Sequence, residues 1–172
     1  MAFNVKKYSS ILSFLIIPII NLYNPSLFSL MGSQPYWPIF WMLPWAIING
    51  RYKSIVIALF LGLILDSINN DFYTQIPGLM ICGYWFGRIG DDNKCNFSIL
   101  QYGLTASIGS LACGLIYFSQ IAIRYSWEYD AIWLLPYGIK TIFAQVFLTG
   151  LLAPVFCSWL YNLFDNKDQL KW

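Results

Sequence analysis

CNFSILQYGLTASIGSLACGLIYFSQIAI, residues 95–123, runs for 29 positions without a charged side chain. A hydrocarbon core of about 30 Å is crossed by about 20 helical residues rising 1.5 Å each, so this run holds one complete span. Counting outward gives the rest of the architecture. Residues 131–164 are interrupted only by Lys140, Phe72 to Gly87 supplies 16 uncharged positions, Ser54 to Leu65 supplies 12, and residues 8–50 supply 43. The last stretch is long enough for two spans, with the turn-forming Met31-Gly-Ser-Gln-Pro-Tyr36 between them. The spacing therefore predicts an all-α, polytopic membrane protein forming a single integral domain. Its six spans fall at roughly 9–30, 36–50, 54–68, 75–89, 97–121 and 136–163. The third and fourth are short and form a hairpin that thins the bilayer or buries its turn. Pro38 and Pro44 lie in the second span, where prolines are tolerated if neighbours satisfy the freed carbonyls. A closed barrel would show alternating segments of about 10 residues, and this chain has no such period.

Composition excludes other classes. Of 172 residues 58% are hydrophobic and 10% charged, against about 45–50% and about 25% in soluble domains. Neither a water-soluble globule nor a disordered chain fits. The net charge of +2 gives no basic footprint for nucleic acid. Histidine is absent, which removes Ser-His and Cys-His nucleophile pairs and the commonest metal ligand. Cys82, Cys95, Cys113 and Cys157 stand 13, 18 and 44 residues apart, too far for a CxxC pair, and read as small apolar fillers. Lys6-Lys7 before an apolar run mimics a signal peptide, but no small-residue cleavage site follows. The segment is expected to remain as the first span.

Basic residues set the orientation, because cytoplasmic loops retain them. Six spans place Lys6, Lys7, Arg51, Lys53, Arg88, Lys94, Lys167 and Lys171 on one side, with Arg124 and Lys140 towards the other. Both termini are thus expected in the cytoplasm. Trp37, Trp41, Trp127, Tyr129, Trp133 and Tyr137 fall near the outer interface, where amphipathic rings anchor helices.

Asp66 lies about 20 Å along the helix from Lys53, past the middle of the apolar layer. A charge there costs about 2.5–3.5 kcal/mol on insertion scales, so either a partner compensates it or the helix shifts and leaves it at a wet end. Lys140 has two matching readings: its stem snorkels to the headgroups, or its ammonium pairs with Asp66. Small residues mark helix contacts, since lipid provides no hydrophobic drive between spans. Gly83-x-x-x-Gly87 is one such face, and Ala106, Ser110 and Gly114 form another. Each serves internal packing or a partner's helix. No phosphate loop or G-x-S-x-G occurs, and Asp91-Asp92 lacks a ligand set. No catalytic, cofactor or metal site is expected.

Phe60-Leu-Gly-Leu-Ile-Leu-Asp66, a polar turn, and Pro77-Gly-Leu-Met-Ile-Cys-Gly-Tyr-Trp-Phe-Gly-Arg88 together resemble the rod shape-determining MreD family. In that family a Gly-Leu-x-x-Asp segment ends one helix, and Gly-Leu opens the next, which closes with a small residue and Arg. Gly62, Leu63, Asp66, Gly78, Leu79, Gly87 and Arg88 occupy those positions. The turn from Ser67 to Pro77 departs from the pattern by lacking the usual glycine and by its greater length. The resemblance implies a non-enzymatic component of the bacterial inner membrane in the elongation machinery. Its implied partners are MreC, the MreB filament, RodA and a class B penicillin-binding protein. The competing class is the substrate-binding membrane component of an energy-coupling-factor vitamin transporter. The absence of alanine between Phe3 and Trp45 counts against the Ala-x-x-x-Ala docking motif of that class.

A periplasm-dependent phosphatase fused to the C-terminus is expected to be inactive. Strong activity would reverse the orientation.

Overall fold

The computed structural model describes Ser29 and residues 32–68, 73–92, 98–125 and 134–165. Five helices and no strand occur among them: α1 (Trp37–Asn49), α2 (Arg51–Ile68), α3 (Ile76–Asp92), α4 (Ile99–Tyr125) and α5 (Leu134–Asp165). The first expected span, 9–30, lies almost wholly outside the described residues. Antiparallel pairs α2/α3 and α4/α5 make the most extensive contacts, and α1 lies between them, touching all four other helices.

Helices α4 and α5 contain segments, Ile99–Arg124 and Pro136–Phe164, that are long and apolar enough to cross a membrane. Only 22% of the most apolar window of each is buried, which separates them from the core helix of a soluble protein. Leu100, Leu104, Ile108, Phe143, Phe147, Leu151 and Val155 are all exposed, an apolar surface that suits lipid rather than water.

Helix α1 behaves in the opposite way. Its 13 residues span ~20 Å, and ten of them are buried. A helix apolar all round belongs in an interior. Trp37 and Trp41, expected as interfacial anchors, are 6% and 3% exposed and belong to the core. Trp37 packs edge-on against Phe40 and Phe156, and Trp41 edge-on against Phe164. They leave the interface because α1 is enclosed by the other helices. Tyr137 is exposed, and Trp127, Tyr129 and Trp133 lie outside the described residues.

Proline and cysteine meet across this core. Pro44 has no N–H to give the carbonyl four residues earlier, that of Phe40. The Cys157 thiol of α5 contacts that oxygen at 3.5 Å. Cys82 and Cys113 lie 3.4 Å apart, sulfur to sulfur, between α3 and α4. All three are buried free thiols, and Cys95 lies outside the described residues.

The turn from α1 to α2 is one residue. Gly50 has φ 79°, a region costly for side chains bearing Cβ. Its N–H donates to the Ala46 carbonyl at 3.0 Å, and its own carbonyl accepts the Ser54 hydroxyl at 2.7 Å. Beyond the turn, α3 lies against α2 through glycines. A Cβ on Gly83 would stand 2.9 Å from both the Ala58 Cβ and the Ser54 carbonyl oxygen. One on Gly87 would strike the Arg51 backbone, and one on Gly90 that of Ile47. At the far end a Cβ on Gly62 would stand 3.0 Å from the Ile76 Cα. The Gly83-x-x-x-Gly87 face is therefore internal. So is the α4 ridge, where Ala106, Ser110 and Gly114 are buried and a Cβ on Gly114 would meet Ile142 of α5 at 3.3 Å.

Gly83→Leu and Gly87→Leu are each expected to lower folded abundance and thermal stability in mild detergent. Overpacking of about 1–3 kcal/mol is the scale for flexible neighbours, and backbone neighbours place both changes at or above its upper end. Unchanged unfolding temperatures would refute the internal assignment.

Candidate functional site

The turn between α2 and α3 carries the first of the singled-out residues. Asp66 lies in the last turn of α2, a poor place for a negative charge because the helix C-terminus is itself negative. Its Oδ1 instead accepts the Gln75 backbone N–H at 2.9 Å, just before α3 begins. One carboxylate thus serves the neighbouring helix's N-terminus, where the dipole favours it. Lys140 is exposed on α5 and forms no ion pair among the described residues, so the suggested pairing with Asp66 does not occur. Asp66 is half-buried.

Gln75 passes the connection on. Its Oε1 accepts the Tyr36 hydroxyl at 3.0 Å. The Tyr36 backbone N–H donates to Thr149 Oγ1 at 3.0 Å, and that hydroxyl donates to the Gln145 carbonyl at 2.7 Å. Beside it, Thr74 and Gln120 exchange two hydrogen bonds, N–H to Oε1 at 3.1 Å and Nε2 to the Thr74 carbonyl at 2.9 Å. These uncharged groups fasten the α2–α3 turn and the segment before α1 to α4 and α5. Between them lies a cavity of about 290 Å³, lined in part by Gln34, Tyr36, Gln75, Cys113, Tyr117 and Gln145.

At the opposite end of the α2/α3 hairpin, Arg51 Nε donates to Asp91 Oδ2 at 2.9 Å. Both side chains are 35% exposed, so the pair contributes at most ~1 kcal/mol. Arg88 is exposed on α3, one helical turn beyond Tyr84.

The hairpin brings Gly62, Asp66, Gly78, Gly83 and Gly87 into one packed unit. Gly78 faces the other way, with a Cβ there 3.2 Å from the Cys113 Cα of α4. Lys140, on α5, stands apart from it, and Arg88 follows Gly87 on α3 with its side chain exposed. Sequence reasoning did not single out Gln34, Tyr36, Thr74, Gln75, Gln120, Gln145 or Thr149. Gln120 and Gln145, amides inside long apolar runs, were the available signal. No family model matches this chain, and neither curated proteins nor solved structures provide a match.

Asp66→Ala is expected to destabilise the fold by about 1 kcal/mol, the usual scale for a lost helix cap. Asp66→Asn, which keeps an acceptor oxygen, should lose less. Lys140→Gln should be silent, and Asp66→Ala with Lys140→Gln should equal the sum of the singles. Thermal unfolding of the four variants measures this. A coupling above about 0.5 kcal/mol would restore the ion pair.

Proposed function

We propose that this chain is a multi-pass, non-enzymatic protein of the bacterial cytoplasmic membrane. It acts in the cell-shape and elongation machinery and couples MreC and the MreB filament to RodA and a class B penicillin-binding protein. The observation that carries the reading is the α2/α3 hairpin. Gly62, Asp66, Gly78, Gly83 and Gly87, which carry or adjoin the MreD-like pattern, build one element in which glycines set the helix spacing and Asp66 caps the return helix.

Six crossings with both termini in the cytoplasm fit the charge distribution. The apolar flanks of α4 and α5 fit lipid or a partner's helix. Arg51, Lys53 and Arg88 gather at the hairpin end away from the α2–α3 turn. On this topology that end faces the cytoplasm, where filament and anionic lipid lie. The adaptor holds partners through helix packing and carries out no chemistry.

The second reading, a substrate-binding component of a vitamin transporter, gains support from the cavity at the other end of the bundle.

Depletion in the native bacterium should convert rods to rounded cells while labelled-vitamin uptake stays unchanged. Normal shape with lost uptake would transfer the protein to the transporter class.

A further inference from the structure

The cavity between the α2–α3 turn, the segment before α1, and helices α4 and α5 has chemistry that the adaptor reading does not use. Its 290 Å³ lies just below the range of ligand pockets, about 300–1,000 Å³, and fits one small ring rather than a chain. Three carboxamides line it, those of Gln34, Gln75 and Gln145. The Gln75 Oε1 is taken by the Tyr36 hydroxyl, but its Nε2 bonds nothing among the described residues. The side chains of Gln34 and Gln145 likewise make no hydrogen bond among them. Each carboxamide offers two donors and two acceptor positions, and all three residues are half-buried at the cavity, so these groups stand open to a ligand. The cavity thus presents a surplus of both donors and acceptors.

The rest of the lining is different. Gly78, Cys113, Gly114, Ile116 and Tyr117 contribute to it, and Tyr73 packs edge-on against Tyr117 with ring centres 5.9 Å apart. No charged side chain lines the cavity among the described residues, because Asp66 directs its oxygen at the Gln75 backbone. A carboxylate or ammonium ligand would lose its hydration there without a counter-charge. An uncharged ring with hydroxyls around its edge and a C–H face matches both kinds of lining residue.

We propose that this cavity binds one uncharged, hydroxyl-bearing ring of monosaccharide size, its hydroxyls held by Gln34, Gln75 and Gln145 and its C–H face by Tyr117. The assignment rests on neither reading of the whole protein. A free sugar and the headgroup of a glycolipid share this chemistry.

The test uses the full chain in phosphatidylethanolamine–phosphatidylglycerol nanodiscs, with thermal unfolding followed by intrinsic fluorescence. D-glucose and N-acetyl-D-glucosamine are the uncharged probes. D-glucosamine and D-glucuronate are cationic and anionic ring probes of the same size, and discs containing monoglucosyl-diacylglycerol form the lipid arm. The expected result is a saturable rise in unfolding temperature with an uncharged probe or with the glycolipid, and none with the charged sugars. A response confined to the glycolipid identifies the headgroup as the source; a response to free sugar identifies the solute. Gln145→Leu and Gln34→Leu remove side chains that make no other hydrogen bond among the described residues. Each should leave the unliganded unfolding temperature unchanged and weaken half-saturation at least tenfold. Equal responses to charged and uncharged sugars, responses preserved in both variants, or no response in either arm would overturn the proposal.

Discussion

Leucine-sized side chains at positions 83, 87 and 90 would hold α3 away from α2 and from the end of α1, and the opposite end of the hairpin would change with them. Close approach along these glycines brings the last turn of α2 beside the first turn of α3, so that Asp66 reaches the Gln75 N–H. Gln75 then stands where the Tyr36 hydroxyl meets it, and Tyr36 is tied through its own N–H to α5. A spacing set by absent side chains near the basic end thus positions the polar groups at the other. Without a hydrophobic drive between helices in lipid, such backbone contact and the hydrogen bonds it permits carry the specificity of packing.

Helix α1 shows the same economy in a different form. A proline in its interior would leave a carbonyl unpaired in a place water does not reach, a cost of the same kind as a lost hydrogen bond. The structure puts Cys157 of α5 against that oxygen. A thiol is a weak donor but small and tolerant of apolar surroundings. It therefore fits among Phe40, Phe156 and the α1 backbone, where a hydroxyl-bearing or amide side chain would bring polar atoms needing partners of their own. Tryptophans that could have anchored an interface pack instead on Phe156 and Phe164, joining α1 to α5 along its length.

Helix positions were legible in the sequence because charges are sparse and each one punctuates the chain: Arg51 opens α2, and Asp91-Asp92 close α3. The small-residue faces were legible too, since glycines four apart must lie on one side of a helix, although their internal use required the neighbours. The fate of Asp66 was not. Its partner is a backbone N–H nine residues on, and a main-chain donor leaves no mark in side-chain identity. Trp37 and Trp41 misled because an indole suits a headgroup interface and an aromatic core equally well. The cavity was hidden for a related reason. Neutral glutamines carry neither the charge nor the fixed spacing that makes a metal or phosphate site readable, and four separate segments supply its lining.

Internal use of the glycines narrows what the adaptor reading demands. A partner's helix cannot approach α3 along Gly83 and Gly87, because Ala58, Ser54 and Arg51 already occupy that face. What the hairpin presents outward is bulky: Tyr52, Val56, Phe60 and Leu63 on α2, and Ile81 and Tyr84 on α3. Helices meeting such surfaces pack side chain against side chain, at interaxial distances nearer the upper end of about 8–10 Å than those a glycine seam allows. Contacts of that kind gain from dispersion over a broad area rather than from one close backbone seam, and single substitutions there are felt less than at the internal glycines. An adaptor built this way would keep its own fold rigid through glycine contacts while leaving its outward faces able to exchange lipid for partners.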